Sequence, residues 1–285
     1  MYVEVALTAL ELSTILYEHR GPLSRAFSKL INYWKLGHVK IAVFGLGGTG
    51  KTTLGDVLSG KMIPGTDTGK YELSYETDEV PVKGEYVSTL IIPGGQERFI
   101  TTDWPKIYRM LAEGRSCGVI NVVSWGHNAF PAVNYKESKY FEEISEKLER
   151  EPTKKEFINA YLETQRENEL NILSELIPHI SVAKKRVWMV TIVTKQDLWW
   201  KDRKKVRQYY EDGPYNKKIQ ELAKAIGANN FSHEYVSAAL VMSNFKTNDG
   251  EVLIPTAEGY DQNLQYPNLI NLLNVINSSI ERSEN

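Results

Sequence analysis

Apolar residues along the chain gather into short, nearly continuous runs that end at glycine or polar positions. The clearest are "HVKIAVFG" (38–45), "YVSTLIIPG" (86–94), "CGVINVVSW" (117–125), "RVWMVTIVTK" (186–195) and "HEYVSAAL" (233–240). Most are β-branched and lack strict alternation, as expected of strands covered on both faces. The more alternating "YELSYETDEV" (71–80) predicts an edge strand. Between the runs the apolar spacing turns helical. Helices are predicted after Lys51, over about 103–113, 155–179 and 202–226, and after Pro267, a residue favoured in a first turn. Strand–helix alternation of this kind predicts an α/β fold with a doubly wound sheet.

Two segments fall outside that plan. Residues 1–37 are predicted to form an N-terminal helical extension ahead of a main domain at 38–285. Within it Leu23, Ala26, Phe27, Leu30, Ile31 and Trp34 share one helical face, flanked by Arg20, Arg25, Lys29 and Lys35. Two readings stand: a helix packed on the domain, which apolar stripes at this spacing favour, and a membrane-surface or partner contact through residues 22–36. The second segment is a helical insertion at about 126–160. Its charges of both signs, such as Lys139, Glu142, Glu143, Glu146 and Lys147, read as a solvated helix face.

Composition narrows the class. The 285 residues are 42% hydrophobic and 25% charged, enough apolar material for a sizeable core. A net charge of -2 gives no basic footprint, so no nucleic acid is expected as a partner. The single cysteine, Cys117, rules out an intramolecular disulfide. No run of 18 apolar residues is present, and the first residues lack the basic start and cleavage site of a signal peptide. The expected location is cytoplasmic, with peripheral membrane contact left open by residues 22–36.

"GLGGTGKT", Gly45 to Thr52, fits the phosphate-loop spacing and sits where the chemistry needs it, between a buried strand and a helix. Glycines at 45, 47, 48 and 50 let the backbone turn its N–H groups toward phosphate oxygens. The helix start adds its positive end. Lys51 brings a cation to the β- and γ-phosphates, and Thr52 a hydroxyl to Mg²⁺.

The base is read elsewhere. "VTKQDL" (193–198) closes another buried strand. A carboxylate at Asp197 accepts two N–H donors from guanine, whereas adenine offers an acceptor in place of one and lacks the other. The Lys195 stem can lie against the ring and reach the phosphate loop. In "VSAAL" (236–240) a small residue lets a backbone N–H approach the guanine carbonyl.

Four stretches, "GLGGTGKTTL", "PGGQER", "TKQDL" and "VSA", resemble the Ras-like small GTPases, most closely the Arf-like and heterotrimeric α-subunit branch. The leucine after the first glycine, the double threonine, the double glycine before glutamine and Lys-Gln-Asp-Leu are similar to the Arf-like pattern. The resemblance spans roughly 38–281 without the insertion. It implies a mostly parallel six-stranded P-loop GTPase sheet with one antiparallel edge and helices on both faces. It implies GTP/GDP and Mg²⁺ as cofactors, slow GTP hydrolysis driving a switch, and an effector or regulator protein as partner. The implied nucleotide-binding set is Gly45, Gly47, Gly48, Thr49, Gly50, Lys51, Thr52, Thr53, Gly95, Thr194, Lys195, Asp197, Ser237 and Ala238. Gly95 is similar to the glycine that meets the γ-phosphate, and Gln96 to the catalytic glutamine that orients water. The implied metal ligands are Thr52 and Thr68, with Thr66 and Asp67 as competing positions in "IPGTDTGKYE" (63–72).

One position departs from that pattern. Ile92 stands where the family has an aspartate that holds a Mg²⁺-bound water. Asp67 is one carboxylate that could replace it, with Asp78 taken as the unrelated control. Ile92 also keeps a second class open: a guanine-nucleotide-binding assembly module with weak or no hydrolysis. A third, a P-loop nucleotide kinase, has no use for Lys-Gln-Asp or the Gly-Gln loop.

Overall fold

The computed structural model describes residues 21–22, 25–26, 40–58, 78–81, 89–92, 117–181, 183, 186–227 and 229–284. Strand β1 (Lys40–Phe44) leads through the glycine loop into α1 (Lys51–Leu58). Then come β2 (Asp78–Pro81), β3 (Thr89–Ile92) and β4 (Cys117–Val123), followed by α2 (Lys139–Leu148) and the long α3 (Lys154–Ile180). Strand β5 (Val187–Val193), α4 (Pro214–Ile226), β6 (Phe231–Ser237), the short strands β7 (Phe245–Lys246) and β8 (Val252–Ile254) and α5 (Gln262–Glu284) complete the order.

Six strands form one sheet in the order β2-β3-β1-β4-β5-β6. β2 runs antiparallel to β3, with Asp78 opposite Ile92, and every other pair is parallel. Alternate residues of the parallel strands feed two cores. Ile41, Val43, Ile120, Val122, Val190 and Ile192 meet Leu54 and Leu58 of α1 and Leu269 to Ile280 of α5. Ala42, Phe44, Val119, Val123, Met189 and Val193 meet Leu173 and Leu176 of α3 and Ile219 and Leu222 of α4 on the other face. Helices therefore cover both faces, which is why the strands read as continuous apolar runs. Because α1 and α3 leave on opposite faces, a crevice opens between the carboxyl ends of β1 and β4, where open α/β sheets place ligands.

A third, smaller cluster is built from the insertion. Phe130, Phe141, Phe157 and Tyr161 pack with Leu198, Phe245 and Leu253. The acidic and basic residues of α2 stay exposed, as the charge pattern predicts. α3 opens on a capping box, in which the Glu156 N–H donates to Thr153 Oγ1 at 3.3 Å and the Thr153 N–H to Glu156 Oε2 at 2.9 Å. Its range matches the predicted 155–179 closely.

Three expectations differ. The helix predicted over 202–226 is broken: Arg203–Arg207 is followed by a π-helical turn, Gln208–Asp212, and the helix restarts at Gly213-Pro214. Pro214 has no N–H to continue the ladder, so it opens α4 instead. α5 starts five residues before Pro267, because Asp261 caps it by accepting from the Leu264 N–H (3.3 Å) through Oδ1 and from the Gln265 N–H (3.0 Å) through its carbonyl. The β7–β8 hairpin was not anticipated at all. In the N-terminal extension only four residues are described. Ala26 is 5% exposed within the α5 core, and its carbonyl accepts from Asn277 Nδ2 at 3.1 Å, which is the packed arrangement at that position. The helix predicted at 103–113 and most of 71–80 lie outside the described residues.

Candidate functional site

The glycine loop is held tightly from beneath and from one side. Gly45 has φ +138°, and a Cβ there would stand 2.1 Å from the Val122 carbonyl oxygen. Gly48 has φ +73°, and a Cβ would stand 2.2 Å from that of Ala129. Only glycine fits either position. Gly47 and Gly50 are partly exposed. Thr49 is fully buried and its Oγ1 donates to the Leu46 carbonyl at 2.9 Å, closing the turn. Thr52 and Thr53 are half-buried in the first turn of α1.

Lys51 is 7% exposed, with Nζ donating to the carbonyls of Gly45 (2.8 Å) and Leu46 (2.7 Å). Its third donor remains for an anion. Burial lowers its pKa to about 7, so an anion beside it would also restore its charge.

The loop after β5 reaches the same crevice. Thr194 Oγ1 donates to the Thr49 carbonyl at 2.6 Å and contacts the Val123 carbonyl at 3.0 Å. This bond joins the two sequence-predicted loops. Lys195 adopts a left-handed conformation, φ 55°, and its Nζ donates to the His127 carbonyl, with the Phe245 ring centroid 5.9 Å away. Lys195 was expected to reach the phosphate loop; Thr194 makes that link.

Asp197 is 1% exposed. Its Oδ2 accepts from the Ser243 N–H at 3.0 Å, while Oδ1 is buried without a hydrogen bond from the protein. Burial pushes the carboxyl up to about 6, against the lowering pulls of the Ser243 N–H, Lys195 and the Thr256 hydroxyl. A desolvated acceptor with an open oxygen suits a ligand carrying N–H donors. Ser237 accepts from Gln196 Nε2 at 3.0 Å, and Tyr260 Oη donates to Gln196 Oε1 at 2.9 Å. The N–H of Ala238 is given to the Val193 carbonyl at 3.2 Å. Gln196 and Ser237 also line a cavity of about 450 Å³, together with Trp199, Tyr210 and Tyr235.

The turn after β4 forms the crevice's other wall. Glu169 of α3, 2% exposed, accepts from the N–H groups of Ser124 (2.8 Å) and Gly126 (3.2 Å) and from Tyr210 Oη (2.6 Å). It fixes the left-handed Trp125, φ 56°, and thereby Ala129 against Gly48. Burial raises its carboxyl pKa. Sequence reasoning missed Glu169, which sits in "QRENEL" like any solvated helix acid. It also missed Ser243 and Tyr260, for which "NFKTNDGEVLI" (244–254) carries a signal: Asn-Asp-Gly between two apolar strands marks a hairpin.

Gly95, Gln96, Thr66, Asp67 and Thr68 lie outside the described residues. No cluster of three or more His, Cys, Asp or Glu occurs among the described residues, and Thr52 is the described candidate for Mg²⁺. No described helix is long and apolar enough to cross a membrane.

No family model and no curated protein matches the chain. Among solved structures it is similar to the Arl6 BBS3 small GTPase of Trypanosoma brucei with bound GppNp, at 12% identity and TM-score 0.37 over 84% of this chain and 97% of that one. The ADP-ribosylation-factor-like GTP-binding protein, small COPII coat GTPase SAR1, of Encephalitozoon cuniculi in complex with GDP gives 12% identity and TM-score 0.37 over 97% and 96%. Toc33 of Arabidopsis thaliana gives 14% and 0.38 over 92% of each chain. These values leave function to the chain's own residues. The chain is similar to solved GTPase structures, Arf-like ones among them.

Proposed function

We propose that the chain is a GTP-binding switch protein of the P-loop GTPase type, nearest the Arf-like branch, that hydrolyses GTP to GDP and phosphate. The observation that carries this is the Thr194–Thr49 bond. It joins a glycine cradle with a buried lysine to a loop bearing a desolvated, half-satisfied carboxylate. Phosphate and purine edge would thus be met by one rigid unit.

In this reading the loop N–H groups and Lys51 hold the β- and γ-phosphates, Asp197 accepts guanine N–H donors through Oδ1, and Thr52 and Thr68 hold Mg²⁺. When bound, Mg²⁺ neutralises charge on the phosphate oxygens. Gly95 senses the γ-phosphate and Gln96 orients the attacking water, roles taken from the sequence resemblance. An effector or regulator protein would read the nucleotide state, and residues 22–36 could add contact with a membrane surface. The packed Ala26 argues against that whole stretch lying free on a membrane.

The test is competition binding with a fluorescent guanine nucleotide. GTP and GDP are expected to displace it far more strongly than ATP. Asp197→Asn should move preference toward xanthine nucleotides, and unchanged guanine preference would contradict the assignment. Ile92 supports a second reading, binding without appreciable hydrolysis. Single-turnover hydrolysis with Mg²⁺ separates the two: turnover abolished by Gln96→Leu supports the first, and no turnover supports the second.

A further inference from the structure

The excursion from Val241 to Asp261, which carries the β7–β8 hairpin, has no place in a strand–helix plan that could pass directly from β6 to α5. Yet it grips the base-reading loop at each of two successive residues. The Ser243 N–H donates to Asp197 Oδ2 (3.0 Å), the Ala257 N–H to the Asp197 carbonyl (2.7 Å), and Tyr260 Oη to Gln196 Oε1 (2.9 Å). Gln196 passes the restraint on to Ser237, at the end of the neighbouring strand, through Nε2 (3.0 Å). Phe245 and Leu253 pack with Leu198, the residue after Asp197. Tyr260 is itself 6% exposed, with its ring against Trp200.

The gripped loop needs external restraint. Lys195 opens it in a left-handed conformation with no side-chain cap, and the helical turn it starts, Gln196–Trp199, is a single turn. Such a turn has too few internal hydrogen bonds to hold its own shape. A carboxylate that discriminates bases must be held to a fraction of an ångström by groups around it. The Ser243 N–H also takes one of the two carboxylate oxygens, leaving Oδ1 as the buried oxygen without a partner.

We infer that the Val241–Asp261 excursion is a clamp on the guanine reader, in which Tyr260 and the Ser243 N–H are positioning groups that set base selectivity and nucleotide residence time. The bonds these two groups make to the loop go to Asp197 and Gln196, the base-reading residues. Loss of either loosens base reading while phosphate holding persists.

This inference rests on the function proposed above, and the experiment separates the two. Wild type, Tyr260→Phe and Ser243→Pro are compared with fluorescent GDP for dissociation rate, and with GTP, ITP and inorganic pyrophosphate as competitors. ITP lacks the guanine 2-amino group and so reports base reading alone. Tyr260→Phe keeps the ring and removes the hydroxyl, which donates to Gln196 and also accepts from the Ala239 N–H and the Asn268 side chain. Ser243→Pro removes the N–H, and Ser243→Ala, which keeps it, is its control. Expected results are roughly tenfold faster GDP release and a several-fold smaller GTP/ITP ratio for Tyr260→Phe and Ser243→Pro. Pyrophosphate competition should stay unchanged, and Ser243→Ala, which keeps the N–H, should lose less GTP/ITP selectivity than Ser243→Pro. If wild type shows no guanine preference, the proposed function and the clamp both fall. Wild-type preference with an unaltered GTP/ITP ratio in Tyr260→Phe overturns the clamp alone. So does a pyrophosphate affinity that falls in step with GTP in Tyr260→Phe, since that marks general loss of structure.

Discussion

Gly48 and Ala129 touch across the crevice so closely that a Cβ on Gly48 would lie 2.2 Å from the Ala129 Cβ and 2.3 Å from its backbone nitrogen. The contact fastens the phosphate loop to the turn after β4. Gly48→Ala meets both this clash and a φ of +73°, and two of the three obstructing atoms, the Ala129 N and Cα, are backbone. It is expected to destabilise the fold by about 2 kcal/mol or more and to abolish tight nucleotide binding. Urea unfolding and a nucleotide titration check this. A variant as stable as wild type would mean that the two loops move apart freely.

Thr194→Val keeps shape and removes the hydroxyl that joins Thr49 to the base-reading loop. The Thr49 carbonyl would lose a buried partner, which costs about 1–3 kcal/mol. GTP affinity should fall at least tenfold, with Thr194→Ser restoring most of it. Calorimetric titration of the three proteins reads both effects.

The two perturbed groups predict an affinity optimum in pH. Burial holds Lys51 near 7, so above that pH the free protein loses the charge that a phosphate would restore. Binding then takes up a proton, and GTP affinity falls as pH rises, approaching tenfold per unit. Asp197 stands near 6 through burial, so below that pH protonation removes its acceptor. Affinity should peak between about 6 and 7. Titrations from acid to alkaline buffer are the measurement, and Asp197→Asn should flatten only the acid side.

The same carboxylate should cost stability. Its folded pKa of about 6 exceeds the ordinary 3.8, so the folded chain holds the proton to higher pH than the unfolded one. Stability from this group therefore falls as pH rises through that window and stays lowered above it. Asp197→Asn removes the penalty and should unfold later at neutral pH, by roughly 1–3 kcal/mol, with the gain vanishing toward pH 4. Melting curves across pH decide this. A function-bearing residue that destabilises its own fold is the usual trade.

Asp78 competes with Asp67 for the role of the missing carboxylate. The register of β2 on β3 places it directly opposite Ile92, the position where the resemblance expects a carboxylate. Cross-strand partners stand about 5 Å apart. Asp78→Ala is expected to raise the Mg²⁺ concentration needed to retain nucleotide by about 10-fold or more, the usual effect of losing an outer carboxylate. Asp67→Ala should change it little. The reverse result would return the role to Asp67.

Much of the frame was legible because it follows from periodicity. Runs buried on both faces announce parallel strands, and the Gly45–Thr52 spacing announces the cradle. What stayed hidden was supplied by partners distant along the chain. Glu169 looks like any charged residue on a long helix until α3 packs its carboxylate onto Ser124 and Gly126. The direction of the Lys195 side chain depends on the His127 carbonyl, which nothing near Lys195 foretells. Pro267 misplaced the start of α5 because proline marks a first turn only when no better cap precedes it, and Asp261 does. The hairpin alone left a readable mark, in Asn248-Asp249-Gly250, that β6 and α5 overshadowed.

The clamp also fixes an order of events at birth. Chains leave the ribosome from the N-terminus at about 5–20 residues per second. The cradle residues and Asp197 are therefore synthesised several seconds before Ser243 and Tyr260 exist to seize the loop. Base selection can be completed only in the closing stretch of synthesis, alongside α5, whose Leu269 to Ile280 finish the core over β1 and α1.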